Sequence, residues 1–293
     1  MLLLKDVSLL GAALIAFAGN SVLCRLALTD EAMQPEAFTA VRIGSGAAVL
    51  AVVLWKFAPR KAAIFDPLAA AALLVYAECF AWAYRDLSAG AGAVLLFGAV
   101  QFTMTAFGLM RGEHLSWSAW FGIALASVGL LSFFVPVPAP ASLSAAVAMI
   151  AAGAAWGVYS LRAGKRDALH ATAWNFILAA PIAVALSWTA AAGGDVTDRG
   201  VIAAMLSGAI TSGLGYVLWY RVVPVLTSVI AATAQLSVPL LAALGGAIVL
   251  GEALTASMAL ALALVLTGIC LVNFGVRPRS ERTRAPALAR KTR

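Results

Sequence analysis

Apolar residues occur along the chain in long runs that are separated by short polar breaks. Each run has about 20 residues, which is the length an α-helix needs to cross a bilayer core of roughly 30 Å. The pattern therefore predicts an all-α polytopic membrane protein with ten transmembrane helices. The predicted spans are residues 7–28, 35–57, 66–84, 89–110, 115–134, 143–161, 171–191, 200–220, 226–250 and 255–276.

The composition agrees with this interpretation. Of the 293 residues, 63% are hydrophobic and 11% are charged, and the mean hydropathy is +0.96. Soluble domains carry about 25% charged residues, so a soluble core is excluded as the place where this apolar surface is buried. We expect one polytopic unit whose surroundings are the lipid bilayer, followed by a basic, disordered tail at residues 277–293.

The sequence at the end of the third predicted span recurs, in similar form, at the end of the eighth predicted span. Residues 82–85 read WAYR and residues 218–221 read LWYR, and the Gly-Glu pair at 112–113 recurs at 251–252. Self-similarity over such a long interval indicates a duplicated chain.

The duplication predicts two repeats of five helices, at residues 1–138 and 139–276. Because five is odd, the second repeat enters the bilayer from the opposite side, which gives an inverted-topology repeat around a central cavity. This is an architecture of secondary transporters. Pro239 is expected in the middle of the ninth span, where it must face protein or a cavity because lipid cannot satisfy the carbonyl groups that it frees.

Lysine and arginine side chains follow alternate spans, and the other connections lack a basic excess. Basic connections stay in the cytoplasm, so the chain is predicted to be a multi-pass membrane protein with both termini in the cytoplasm. The net charge is +7, but the tail has no aromatic residue for base stacking, so we expect no nucleic-acid partner. The orienting residues are Lys56, Arg60, Lys61, Arg111, Arg162, Lys165, Arg166, Arg221 and the tail.

Few residues have the chemistry of a catalytic or metal site. Cys24, Cys79 and Cys270 lie singly in apolar runs, and His114 and His170 lie in connections between spans. No metal-ligand spacing, serine dyad or phosphate-binding loop is present. We therefore expect no catalytic residue, no metal and no cofactor.

The paired hairpins resemble the drug/metabolite transporter superfamily, EamA type, with residues 237–255 as the most specific stretch. Val100 and Gln101 depart from this pattern, because the second copy has a proline there. The chain is most similar to bacterial amino acid exporters, including the aromatic amino acid exporter. The resemblance implies a location in the bacterial inner membrane and alternating-access export of small metabolites, most of all amino acids, to the periplasm. The alternative is a multidrug or other metabolite exporter. We expect a monomer or a weak dimer.

Arg42 and Glu78 are ionisable residues well inside predicted spans, where each costs about 2.5 to 3.5 kcal/mol. They lie at similar depths, so they are expected to be able to meet. One interpretation is a structural ion pair between the second and third helices. The other is a functional role, in which Glu78 handles a proton or the pair clamps a zwitterionic substrate.

Polar and aromatic side chains near the repeat interface are the candidate substrate-binding residues. Residues four apart, such as Phe97 and Gln101, share a helix face. The alternative is that the amides only join helices. The candidates are Asn20, Tyr76, Glu78, Cys79, Trp82, Phe97, Gln101, Trp156, Tyr159, Ser160, Ser212, Tyr216, Gln235 and Ser237. We assign the aromatic residues near span ends to an interfacial belt; these are Tyr84, Trp117, Trp120, Trp188, Trp219 and Tyr220.

Overall fold

The computed structural model describes residues 4–28, 33–59, 62–63, 65–110, 114–132, 142–162, 167–190, 196–226, 231–232 and 234–277. Within these residues, and with 198–225 counted as one helix, the chain forms ten helices of 14 residues or more. They are α1 (Leu4–Leu28), α2 (Pro35–Phe57), α3 (Pro67–Ala83), α4 (Ala89–Met110), α5 (Trp117–Ser132), α6 (Leu143–Leu161), α7 (Ala168–Ala190), α8 (Asp198–Val225), α9 (Ser237–Leu250) and α10 (Ala256–Gly275).

Some sequence predictions lie outside the described residues. They concern the tail from residue 278 onward, the Gly-Glu pair at 112–113, the boundary between the predicted repeats, and the basic positions 60, 61, 111, 165 and 166.

A short pair of strands joins the segment before α5 to the segment after α10. In it, β1 (His114–Leu115) is antiparallel to β2 (Val276–Arg277).

Six helices are long and apolar enough to cross a membrane: α1, α2, α4, α6, α7 and α8. The other four contain shorter apolar stretches of 10–17 residues, which are Pro67–Ala83, Trp117–Gly129, Ser237–Leu250 and Ala256–Val272. The all-helical class predicted from the sequence is therefore confirmed, and it is the fold of a membrane protein.

Pro239 lies in the first turn of α9 and is buried, so it faces protein as predicted. Residues 231, 232 and 234, before that turn, are also helical. The helix begins at Ser237, after a turn at Gln235 and Leu236. A proline in the first turn breaks no intrahelical hydrogen bond, because the N–H groups there have no partner within the helix. At the other end α9 closes on Gly251, whose φ of 67° is in the left-handed region that favours glycine.

The helices pack in pairs that connect the two halves of the chain. α2 packs against α7, α4 against α9 and α5 against α10. In addition α3 and α4 pack against α6, while α8 and α9 pack against α1. The buried core of the molecule lies between these helices, and it includes side chains of both halves.

The middle of α8 is π-helical, from Ser207 to Leu214. This stretch lies directly against α2, because a Cβ atom on Gly208 would overlap the carbonyl oxygen of Arg42 and the hydroxyl of Ser45. Single π-helical turns inside α-helices are rare and concentrate at functional sites. The wide turn and the missing side chain together bring α8 into backbone contact with α2.

Three side chains assigned to the interfacial belt are buried inside the protein, namely Tyr84, Trp219 and Tyr220. Their polar tips have internal partners: Trp219 Nε1 donates to Ser160 Oγ at 3.3 Å, and the Tyr220 hydroxyl donates to the carbonyl oxygen of Tyr159 at 2.8 Å. A buried Tyr or Trp requires such a partner, so the belt interpretation is wrong for these residues. The belt candidates that are exposed are Trp117, Trp120 and Trp188.

Candidate substrate-binding site

Arg42 on α2 is fully buried and surrounded by hydroxyl groups. Its Nε donates to Ser212 Oγ at 2.9 Å, and its Nη2 donates to the Tyr76 hydroxyl at 3.2 Å and the Tyr216 hydroxyl at 2.8 Å. The guanidinium carbon lies 5.1 Å from the ring centroids of both Tyr76 and Phe80. Helices α2, α3 and α8 therefore all contact one buried cation.

The expected ion pair of Arg42 with Glu78 does not form. Both residues are described, and no contact within 4.0 Å joins their charged groups. Tyr76 and Phe80 present the face of α3 that contacts Arg42. Glu78 is about 200° around the helix from Tyr76, at about 100° per residue, so equal depth in the membrane does not bring the two charged groups into contact. Glu78 is half-buried instead, and its Oε1 is buried without a hydrogen bond.

Asn20 on α1 joins the same group of side chains. Its Nδ2 donates to the Tyr76 hydroxyl at 3.2 Å, and its Oδ1 accepts from Ser207 Oγ at 2.6 Å and from Ser212 Oγ at 3.4 Å. All of these side chains are buried. We name the central polar cluster by its members, which are Asn20, Arg42, Tyr76, Ser207, Ser212 and Tyr216.

An aromatic layer built around Trp156 covers the central polar cluster. The Trp156 ring centroid is 5.1 Å from that of Tyr76, 4.7 Å from that of Tyr216 and 5.2 Å from that of Phe17. Its Nε1 donates to Gln235 Oε1 at 2.7 Å. The Trp156 ring also stacks on that of Tyr159, with the centroids 5.4 Å apart. The structure thus brings together seven of the predicted site residues: Asn20, Tyr76, Trp156, Tyr159, Ser212, Tyr216 and Gln235.

The other candidates lie elsewhere. Phe97 and Gln101 are buried on α4, where Gln101 Nε2 donates to Thr105 Oγ1 at 3.0 Å. Trp82 is 38% exposed, and Ser237 is exposed with its hydroxyl on the carbonyl oxygen of Ala234. Ser160 is buried near the end of α6, and Cys79 is half-buried on α3.

Sequence reasoning missed the pairing of Ser207 with Ser212. Five residues in an α-helix turn through about 500°, which leaves these two side chains about 140° apart. The π-helical turn brings both onto Oδ1 of Asn20. No feature of the sequence predicts the π-helical turn. Arg42 was singled out as a buried charge but was not among the candidate binding residues, and Phe17 carried no polar signal.

Charged contacts close one end of the helix bundle, which we call the Arg25 end. Arg25, at the end of α1, donates from Nη1 to the carbonyl oxygens of Tyr84 and Arg85 at 2.7 and 2.6 Å. Its Nε lies 3.4 Å from Oε1 of Glu252. The Glu252 carboxylate also accepts from the backbone N–H of Ala89 at 2.9 Å. The contact therefore connects α1, the turn before α4 and the turn after α9.

A second charged contact closes the opposite end, which we call the Asp66 end. Asp66 caps α3 by accepting from the Ala69 N–H at 3.1 Å, and it accepts from Nε of Arg162 at 3.0 Å and from Nη2 at 2.8 Å. This connects α3 to the end of α6. Since α3 has 17 residues, the two ends are about 25 Å apart along it, with Tyr76 near the middle.

Three comparisons with known proteins agree with this architecture. The chain is 46% identical over 262 residues to an uncharacterized protein of Pseudomonas aeruginosa, a match that covers 89% of this chain and 91% of the relative. The EamA-like transporter family matches residues 140–274. This chain belongs to the EamA-like transporter family. It is also 27% identical over 269 residues to the uncharacterized transporter YwfM of Bacillus subtilis, covering 88% of this chain and 90% of that one.

A protein of known crystal structure shares the fold of this EamA-like chain. The TM-score is 0.65 at 18% identity, and the match covers 89% of this chain and 98% of the other. Membership of the family makes the chain a multi-pass membrane transporter of small molecules.

Proposed function

We propose that the protein is a secondary transporter that exports small metabolites, above all amino acids including aromatic ones, from cytoplasm to periplasm by alternating access. The observation that carries the proposal is the central polar cluster. Helices α1, α2 and α3 supply half of it and α8 supplies the other half. A polar site at the interface of two halves is where transporters bind substrate.

The packing of the helices supports two inverted repeats. If α1 to α5 superpose on α6 to α10, the contact of α3 with α6 requires one between α8 and α1. The contacts of α4 with α6 and of α3 with α7 likewise require contacts of α9 with α1 and of α8 with α2. All six contacts exist. The pairs α2 with α7, α4 with α9 and α5 with α10 are their own counterparts, as a two-fold axis between the halves requires.

The two charged ends support alternating access. Both are closed in this structure, and the central polar cluster lies between them. In the orientation that the basic connections favour, the Arg25 end faces the periplasm and the Asp66 end faces the cytoplasm. Separation of one ion pair at a time opens the cluster to one compartment at a time.

The groups in the site match those of an aromatic amino acid. The rings of Phe17, Trp156 and Tyr216 offer an apolar, aromatic surface. Oδ1 of Asn20 and nearby hydroxyls accept hydrogen bonds of the kind an ammonium group donates. A mostly apolar wall with a few placed polar groups is typical of small-ligand sites.

The test is flux in proteoliposomes loaded with a panel of amino acids, sugars and cationic drugs. We expect saturable amino acid flux that falls about tenfold or more in Trp156→Ala, because loss of a buried aromatic contact surface costs at least 1.4 kcal/mol in binding. Trp188→Ala is the matched control, since Trp188 is 82% exposed. If drugs or sugars are transported and amino acids are not, the proposed substrate class is wrong. If the flux does not saturate, the protein acts as a channel and not by alternating access.

A further inference from the structure

We infer that Arg42 binds the carboxylate of the transported substrate, so that the site selects carboxylates over the matching amines and amides. The inference rests on the proposed function only in placing the substrate at the central polar cluster. It names the chemical group that Arg42 takes, and it replaces the clamp formed with Glu78 that was one interpretation of the sequence.

The first argument is charge. A buried ion is normally paired with an opposite charge, because a low-dielectric interior solvates it poorly. The hydrogen-bond partners of Arg42 are the uncharged hydroxyls of Ser212, Tyr76 and Tyr216. Its Nη1 is buried and has no hydrogen-bond partner at all. The site therefore holds a positive charge and an unused donor.

The second argument is the contrast with two other arginines. Arg162 has a carboxylate oxygen at 2.8 Å although its side chain is 38% exposed, and Arg25 has one at 3.4 Å although it is 22% exposed. Arg42 is fully buried and needs such a partner more, yet none of the described acidic residues supplies it. The carboxylate of a bound substrate would supply the ionic partner that Arg42 lacks.

The third argument is geometry. A guanidinium group presents two parallel N–H donors that match the two oxygens of a carboxylate. Nη1 is unused, and Nη2 is bonded only to tyrosine hydroxyls. The Tyr76 and Tyr216 hydroxyls lie 3.2 Å apart. Since a hydroxyl both donates and accepts, these two can turn their protons to a carboxylate that takes their place on Arg42. Opening of either end gives the substrate access.

The experiment measures binding to the purified full-length protein by thermal shift at constant chloride and ionic strength. The probes are phenylalanine, 3-phenylpropionate, phenylalanine amide and phenethylamine. We expect the two carboxylates to bind about tenfold or more tightly than the amide and the amine, the factor for one charge-assisted hydrogen bond. Arg42→Gln should abolish this preference and Arg42→Lys should retain part of it. Arg221→Gln, a change at an exposed arginine, is the matched control.

The outcomes separate this inference from the proposed function. If 3-phenylpropionate binds through Arg42 while no amino acid is transported, the carboxylate site stands and the amino acid assignment fails. If the amide and amine bind the unmodified protein as tightly as the carboxylates, the inference is overturned, and this arm decides even when Arg42→Gln does not fold. If chloride or phosphate protects through Arg42 and 3-phenylpropionate does not compete, Arg42 holds an inorganic anion and the inference is overturned.

Discussion

The arginine in the central polar cluster and the arginine at the Asp66 end differ in burial and in the charge of their partners. At the Asp66 end, Arg162 is partly exposed and has a two-oxygen contact with Asp66. In the cluster, Arg42 is fully buried and has only hydroxyl partners. The Asp66 carboxylate is only 1% exposed, and this buried charge has an opposite charge at 2.8 Å. The Arg42 guanidinium is equally buried but has no ionic partner among the described residues, although a buried charge normally requires one. The difference is consistent with a centre that receives an anion from outside the protein.

The largest expected effect comes from Arg42→Met. We expect carboxylate flux to fall about 100-fold, the factor for two charge-assisted hydrogen bonds. The free energy of unfolding should change little, because the variant removes a buried charge that has no ionic partner. The remaining groups can pair with one another, as Tyr216 with Tyr76 and Ser212 with Asn20. Flux assays and denaturant or thermal unfolding check both parts. A large loss of stability would make Arg42 a structural residue.

Gly208→Ala should have the next largest effect. The new methyl group overlaps the Arg42 carbonyl oxygen, so α8 must move away from α2, at a cost of about 1 to 3 kcal/mol in the free energy of unfolding. Substrate affinity should fall as well, because Ser212 moves away from Arg42. Gly44→Ala on α2 is the matched control, since its Cβ would meet no atom within 4 Å. Equal behaviour of the two variants would mean that the close contact of α2 and α8 is not required.

Asp66→Asn should have a moderate and local effect. The asparagine keeps an oxygen for the cap on Ala69 but loses the charge that holds Arg162. Because only Arg162 is partly exposed and Asp66 is buried, we expect a loss of about 1 kcal/mol in the free energy of unfolding, the upper end of the range for exposed pairs. We expect faster hydrogen–deuterium exchange where α3 begins and α6 ends. Glu252→Gln should instead speed exchange where α1 ends and α4 begins. Faster exchange at the same end in both variants would contradict two independent ends.

Much of the fold followed from the sequence, because a run of apolar residues determines a helix in a membrane with few alternatives. Seven of the candidate residues came together for a related reason. A polar side chain in an apolar run must find polar partners, and Asn20, Tyr76 and Ser212 found one another.

The predictions that were wrong depended on the direction in which a side chain points around its helix axis. Depth along a helix follows from counting residues, but the direction of a side chain depends on how the helix packs. Glu78 is therefore at the right depth and on the wrong side of α3. Trp219 and Tyr220 are at a span end but face protein instead of lipid. The π-helical turn changes the rotation itself, which no periodic pattern of apolar residues could indicate.

Glu78→Gln should have the smallest effect on substrate selection. Glu78 does not contact Arg42, so the preference for 3-phenylpropionate over phenylalanine amide should stay within about twofold of its value in the unmodified protein, as for other substitutions away from the contact. The same variant tests proton handling, because glutamine cannot bind or release a proton. We predict that it abolishes whatever pH dependence the flux of the unmodified protein has. Flux measured across a range of pH values decides this: retained pH dependence removes Glu78 from proton handling, and a lost carboxylate preference would place Glu78 at the substrate after all.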